Sequence, residues 1–222
     1  MTGGAREISA PGMALRTAAI LFVFVIIFTG LLSGAYLWTK PAIEASAAEE
    51  KMKLVDEVLP RAEYDNALLD DTLTLPPTPQ LGLDEPSTLY RARMGGKPVA
   101  LVFEAAAPDG YAGKVRLLIA LRADGTLAGV RVTQHKETPG LGDYVDPKKD
   151  KNKAAPWIAQ FAGLSLATVS DPGWRVRKDG GRFEYVAGAT VTPRAVVKAV
   201  NKAVKWADPQ RDELFAQTGG KP

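Results

Sequence analysis

The chain has 222 residues, 46% of them hydrophobic, with a formal net charge of +3, one histidine and no cysteine. That length supports one sizeable core, and the lack of cysteine excludes thiolate-held zinc, iron–sulfur clusters, thiol catalysis and disulfides. The densest basic run, Lys148 to Lys153, has no interleaved aromatics, so it reads as a solvated loop and no nucleic-acid partner is expected.

In chain order, a short N-terminal segment (1–16) precedes an uncharged stretch from Thr17 to Thr39, flanked by Arg16 and Lys40. As a helix it would reach ~35 Å, enough to cross the ~30 Å core of a bilayer. It exceeds the core of a signal peptide, and Tyr36 and Trp38 sit where amphipathic rings favour the interface, so it reads as an uncleaved anchor. Lysine and arginine counts on its two sides do not decide its orientation. Residues 40–87 read as a second helix, Pro41 to Leu59, ended by Pro60, and then a proline-rich connector. In that helix Met52, Val55 and Leu59 share one face.

Residues 88–207 read as an α+β domain, mostly antiparallel. "TLYRARM" and "PVALVFEA" flank Gly95-Gly96, and "KVRLLIALR" turns through Asp124-Gly125 into "LAGVRVTQH", which gives two hairpins. Val115, Leu117, Ile119 and Leu121 fall on one face. Trp157 to Leu166 reads as a short helix, and "WRVRK" and "RFEYV" around Asp179-Gly180-Gly181 as a third hairpin. A terminal amphipathic helix follows, with Thr192 as its N-cap, Pro193 in its first turn and Val196, Val200 and Val204 stacked on its buried side. Residues 208–222 read as a tail.

The stretch "VAGATVTPRAVV" admits two readings. In one, Gly188 supplies a strand-to-helix turn and Thr192 caps the helix. That reading asks nothing of Ala189 or Thr190. In the other, the positive end of the helix favours an anion such as phosphate, and a threonine hydroxyl beside it holds or is esterified to that phosphate. His135, Glu137 and Asp143 read as loop-stabilising groups, not acid/base catalysts. No metal cluster or nucleophile triad is visible in the sequence.

"AGATVTPRAVV" resembles the flavinylation motif of FMN-binding redox subunits, and "HKETPGLGD" (His135 to Asp143) resembles a second signature of the same proteins. With "APDGYAG" at Ala107 to Gly113 and the N-terminal span, the similarity covers nearly the whole chain. The chain is closely similar to the G subunits of Rnf complexes, the ion-translocating ferredoxin:NAD oxidoreductases. It is more loosely similar to the C subunits of Na+-translocating NADH:quinone reductases.

The resemblance implies FMN joined through its phosphate to Thr190, with Gly188, Ala189 and Thr192 around it. It implies that Thr138 and Leu141 line the flavin, with Gly140 and Gly142 allowing close backbone approach. It further implies attachment from FAD by a flavin transferase, an N-terminus in the cytoplasm and a periplasmic domain at the bacterial inner membrane. The partners would be membrane and iron–sulfur subunits of the complex, and the chain would relay electrons without a catalytic residue of its own. The motif commonly has an aspartate six residues before the modified threonine; Glu184 stands there and keeps the carboxylate one methylene further out. Two other readings stay open at this point: a quinone-reductase subunit, and a non-redox envelope sensor or assembly protein.

Overall fold

Helix α1 runs unbroken from Ala10 to Asp56, 47 residues, in the computed structural model, which describes residues 10–217. Expectations for 1–9 and 218–222 lie outside the described residues. The chain divides into two compact units at Glu50/Lys51, and each is taken by itself. α1 is the one described helix long and apolar enough to cross a membrane. The expected break before Pro41 is absent: Pro41 lies inside the helix. A proline there removes one intrahelical bond. In the turn before it, the Thr39 hydroxyl donates to Ala35 O at 2.9 Å. The helix then stops at Asp56, short of Pro60.

The second unit is built on a five-stranded sheet in the order β1 (Thr72–Leu75), β2 (Ser87–Met94), β3 (Lys97–Ala107), β4 (Val115–Arg122), β5 (Leu127–Gln134), every pair antiparallel. Gly95 and Gly96, with φ of 55° and 77°, form the two-residue turn that Met94 and Lys97 close. The pleat sends alternate residues to opposite faces. Val115, Leu117, Ile119 and Leu121 of β4 join the larger core, while Leu118 and Ala120 join a smaller one with Val55, Val58, Leu59 and Tyr64. The face shared by Met52, Val55 and Leu59 therefore covers one side of the sheet. Helix α2 (Val191–Ala207) covers the other through Val196, Val200 and Val204, all buried.

Four sequence expectations need correction beyond the Pro41 break. β1 lies in what reads as a connector; its four residues, between two aspartates and two prolines, are too few to show a period. The helix expected at Trp157–Leu166 is a short 3-10 helix, Trp157–Phe161, after which the backbone turns extended at Ala162. The third hairpin is absent. Val176 and Phe183 share one isolated parallel bridge, and Arg177–Asp179 is another 3-10 turn. Phe183, Trp174 and Val176 are all buried in one core, and the Phe183 ring packs 4.7 Å from Phe161 and 5.6 Å from Trp174. Aromatic burial, with a few backbone hydrogen bonds such as Arg177 N–H to Phe183 O and Phe183 N–H to Arg175 O, organises that segment in place of a hairpin ladder. Last, the expected tail contains helix α3 (Arg211–Ala216), which buries Leu214 and Phe215.

Gly129 of β5 marks the closest approach of the covering segment. A Cβ there would lie 2.7 Å from Val58 O and 3.0 Å from its Cα, both backbone atoms. Gly129→Ala is expected to cost about 1–3 kcal/mol by overpacking, measured as a lowered Tm of the detergent-solubilised chain. An unchanged Tm would contradict that fit.

Candidate functional site

The N-terminus of α2 does not form as the sequence suggests. Val191 is its first residue and Thr190 occupies the cap position, but the Thr190 side chain makes no capping hydrogen bond. Thr192, expected to cap, lies inside the first turn and turns away. Its hydroxyl donates to Glu137 Oε2 at 2.6 Å, in a buried contact. The reason is energetic. A hydrogen bond to a buried carboxylate is worth roughly 1.5–3 kcal/mol, more than the ~1 kcal/mol of an ordinary cap.

Glu137 is 5% exposed and also accepts the Ala112 N–H at Oε1, 3.1 Å away. Its carboxylate thus joins three separate stretches: the "PDGYAG" turn, the "ETPGLG" loop and the start of α2. Glycines make room for it. A Cβ on Gly142 would lie 2.6 Å from Glu137 Oε2 and 2.7 Å from Thr192 Oγ1, and one on Gly110 would lie 2.9 Å from Oε1 and 2.2 Å from Gly113 O. Gly142 therefore closes against Glu137 and Thr192, whereas Gly140, at φ 78°, stands in open space.

The remaining loop groups serve the backbone. Asp143 Oδ1 accepts the Gly140 N–H at 2.9 Å, and His135 Nδ1 accepts the Glu137 N–H at 3.1 Å. His135 Nε2 also lies 3.7 Å from Asp146. In these contacts His135 and Asp143 hold the loop backbone, and Glu137 ties the loop to its neighbours. Thr138 and Leu141 are exposed on it.

A second set of contacts holds the chain leading to Thr190. The Tyr144 hydroxyl accepts the Val186 N–H and donates to Ala189 O, both at 3.2 Å. Burial pushes this phenol above its ordinary range, partly offset by the Val186 N–H, so it stays a donor at neutral pH. Trp157, edge-on to Tyr144 at 5.9 Å, donates its indole N–H to Glu184 O at 2.6 Å, and Gln160 Oε1 accepts the Glu184 N–H at 2.8 Å. The Glu184 side chain is exposed and paired with Arg177 at 2.8 Å. Gly188, at φ 85°, turns the chain into α2, and Ala189 and Thr190 are buried, Thr190 with 8% exposure. A groove of about 510 Å³ runs beside this segment, lined by Tyr144, Asn152, Pro156, Trp157, Glu184 and Val186. Sequence reasoning passed over Tyr144 and Trp157 as holding groups. A tyrosine within a 3-10 turn carries no spacing signal.

Apolar exposure is concentrated here. Among the described residues outside α1, the exposed large hydrophobics are Met94, Tyr111, Leu141, Val186 and Val191. Apart from Met94 at the β2–β3 turn, they lie on the joined stretches or on the segment leading to Thr190, a surface suited to an apolar ring. Arg194, the first cation of α2, is committed to Asp179 at 2.6 and 2.8 Å and holds the Asp179 carboxyl below its usual range. The arrangement fits FMN. It offers a hydroxyl free of capping at the positive end of a 17-residue helix, small residues before it and exposed apolar side chains around it.

Comparison with known proteins agrees. Residues 110–205 match the family model for the FMN-binding domain, and residues 12–58 match that of the RnfG N-terminal region. The chain is 44% identical over 202 residues to the G subunit of the ion-translocating oxidoreductase complex of Pseudomonas aeruginosa, covering 91% of this chain and 92% of that one. It is 38% identical to the G subunit from Pseudoalteromonas atlantica (90% and 91% covered) and 37% identical to that from Vibrio cholerae (91% and 94%).

Tyr144→Phe removes both hydrogen bonds to the segment before Thr190. It is expected to cost about 1–3 kcal/mol by leaving the buried Ala189 carbonyl and the part-buried Val186 N–H without this partner, read from denaturant melts. A variant as stable as the parent would show that Tyr144 does not hold the segment.

Proposed function

Because the chain belongs to the family of G subunits of ion-translocating oxidoreductase complexes, we propose that Thr190 carries FMN through a phosphoester bond. At the coarser level the protein is a membrane-anchored flavoprotein subunit of such a complex, an electron-transfer part of a translocase, with FMN as cofactor. The quinone-reductase and non-redox readings are not favoured.

The choice of hydroxyl rests on one observation. Of the two threonines at the start of α2, Thr192 is committed to Glu137 while Thr190 caps nothing. Thr190 is therefore the hydroxyl free to react. A flavin transferase would use FAD: the bond from Thr190 Oγ1 to the FMN phosphorus forms as the pyrophosphate bond breaks. AMP leaves, and the hydroxyl proton goes to a base of the transferase. Glu184, exposed six residues before, is the group this enzyme would read. The phosphate then sits at the N-terminus of α2, where backbone N–H groups favour negative charge.

When bound, FMN supplies the electron-accepting and electron-donating chemistry. The chain's own part is placement. The Thr190 ester would hold the phosphate, Gly188 and Ala189 would leave room beside it, and Leu141 and Thr138 on the loop held by Asp143 would line the ring. Thr192 and Gly142 close the site through Glu137, while Gly140 leaves the loop open to close approach. The helix spans the bacterial inner membrane with its N-terminus in the cytoplasm and the domain in the periplasm. Membrane and iron–sulfur subunits of the complex are the electron partners.

Co-expression with a flavin transferase should put the mass of FMN on the peptide containing Tyr185 to Arg194. Thr190→Val, which removes the hydroxyl at nearly constant volume, should abolish it. FMN on the Thr190→Val peptide would show that another residue is modified. In spheroplasts, external protease should digest the domain while the N-terminus stays protected; protection of the domain would reverse the orientation.

A further inference from the structure

Glu137 is buried, acidic and, among the described residues, forms no ion pair. Both hydrogen bonds of its side chain are ones it accepts, from the Ala112 N–H and the Thr192 hydroxyl. Burying such a group is costly unless something favours its charge. The carboxylate touches the first turn of α2 through Thr192, at the end where the helix dipole is positive. That is the same helix end on which Thr190 stands.

We propose that Glu137 is a positioning residue for the flavin: it orients the Thr190 turn and the Leu141 loop through Thr192 and Gly142, and its charge lowers the flavin's reduction potential. The proposal rests on Thr190 as the attachment residue. Its orienting half follows from the joined stretches. Three of the exposed apolar side chains, Tyr111, Leu141 and Val191, lie on segments that the carboxylate fastens together, each next in sequence to a residue it touches or presses against. Its electrostatic half follows from Coulomb's law in a poorly solvated site. Adding an electron to a flavin near a fixed anion is less favourable than adding it near a neutral amide. The phosphate ester and Glu137 both place negative charge at this helix end, so the bound flavin is held in an anionic setting.

The test uses the full-length chain in detergent, co-expressed with a flavin transferase. Peptide mass first locates FMN. Its absence from Thr190 in the wild type would overturn the attachment reading and this inference with it. With FMN on Thr190, Glu137→Gln keeps the side-chain shape and removes the charge; the Thr192 hydroxyl can rotate to accept from the new amide. The expected result is a reduction potential more positive than wild type, measured by spectroelectrochemical titration. Thr192→Val removes the linking hydroxyl and leaves Glu137 in place. It should change the visible circular dichroism of the flavin, and Thr192→Ser should restore the wild-type spectrum. A merely structural role for Glu137 would lower stability without moving the potential. A wild-type potential in flavin-loaded Glu137→Gln overturns the electrostatic half, and a wild-type spectrum in Thr192→Val overturns the orienting half. Should Glu137→Gln fail to fold, Glu137→Met, which also removes the charge at similar length, tests the electrostatic half by the same potential, and the Thr192→Val and Thr192→Ser pair tests the orienting half.

Discussion

A single buried carboxylate, Glu137, organises the functional end of this domain. It receives a backbone N–H from Ala112 and a hydroxyl from Thr192, residues far apart in sequence, and sits on a loop of its own. An unpaired carboxylate in the interior would be strongly destabilising. The three stretches therefore cannot drift independently: moving any one strips the carboxylate of a donor. Gly110 and Gly142 fit the same constraint, since a side chain at either would press on the carboxylate or on backbone held beside it. Around this point the fold leaves apolar side chains uncovered, while elsewhere in the domain nearly all large hydrophobics are buried or half-buried.

The sheet makes that arrangement rigid. It is covered on both faces, by α2 on one and by the residues from Val55 to Tyr64 on the other. By contrast, the segment from Glu184 to Ala189 belongs to no helix or sheet. Side chains of Gln160, Trp157 and Tyr144 hold it. A stretch held this way keeps its residues in place yet leaves Glu184 and Val186 at the surface. At the opposite end, Arg91 and Arg93 share Asp71 and donate to the carbonyls of Gln217 and Phe215, which fixes α3 to β2.

Much of this was legible in the sequence where period and turn chemistry agreed. The two hairpins from Ser87 to Gln134 showed both alternation and glycine turns, and α2 showed valines at helical spacing. Legibility failed where tertiary contacts override local preference. Thr192 has the residue type and spacing of a cap, but a carboxylate fifty-five positions away in sequence outbids the helix end for its hydroxyl. Trp174 to Val186 has the glycines of a hairpin, yet its aromatic rings pack into one core and its two arms share a single parallel bridge instead of an antiparallel ladder. Pro41 suggests a break, but one missing N–H is tolerated within a long helix. At the site, the motifs marked Thr190 and the two loops, but nothing in their spacing shows that one carboxylate joins them. That fact exists only in three dimensions.

The most direct test of this account is a crystal structure of the flavin-loaded domain. The account predicts continuous density from Thr190 Oγ1 to the FMN phosphorus, with Thr192 Oγ1 still within hydrogen-bonding distance of Glu137 and the ring against Leu141 or its exposed neighbours. Density joining the phosphate to Thr192, with Glu137 turned away from the start of α2, would contradict it.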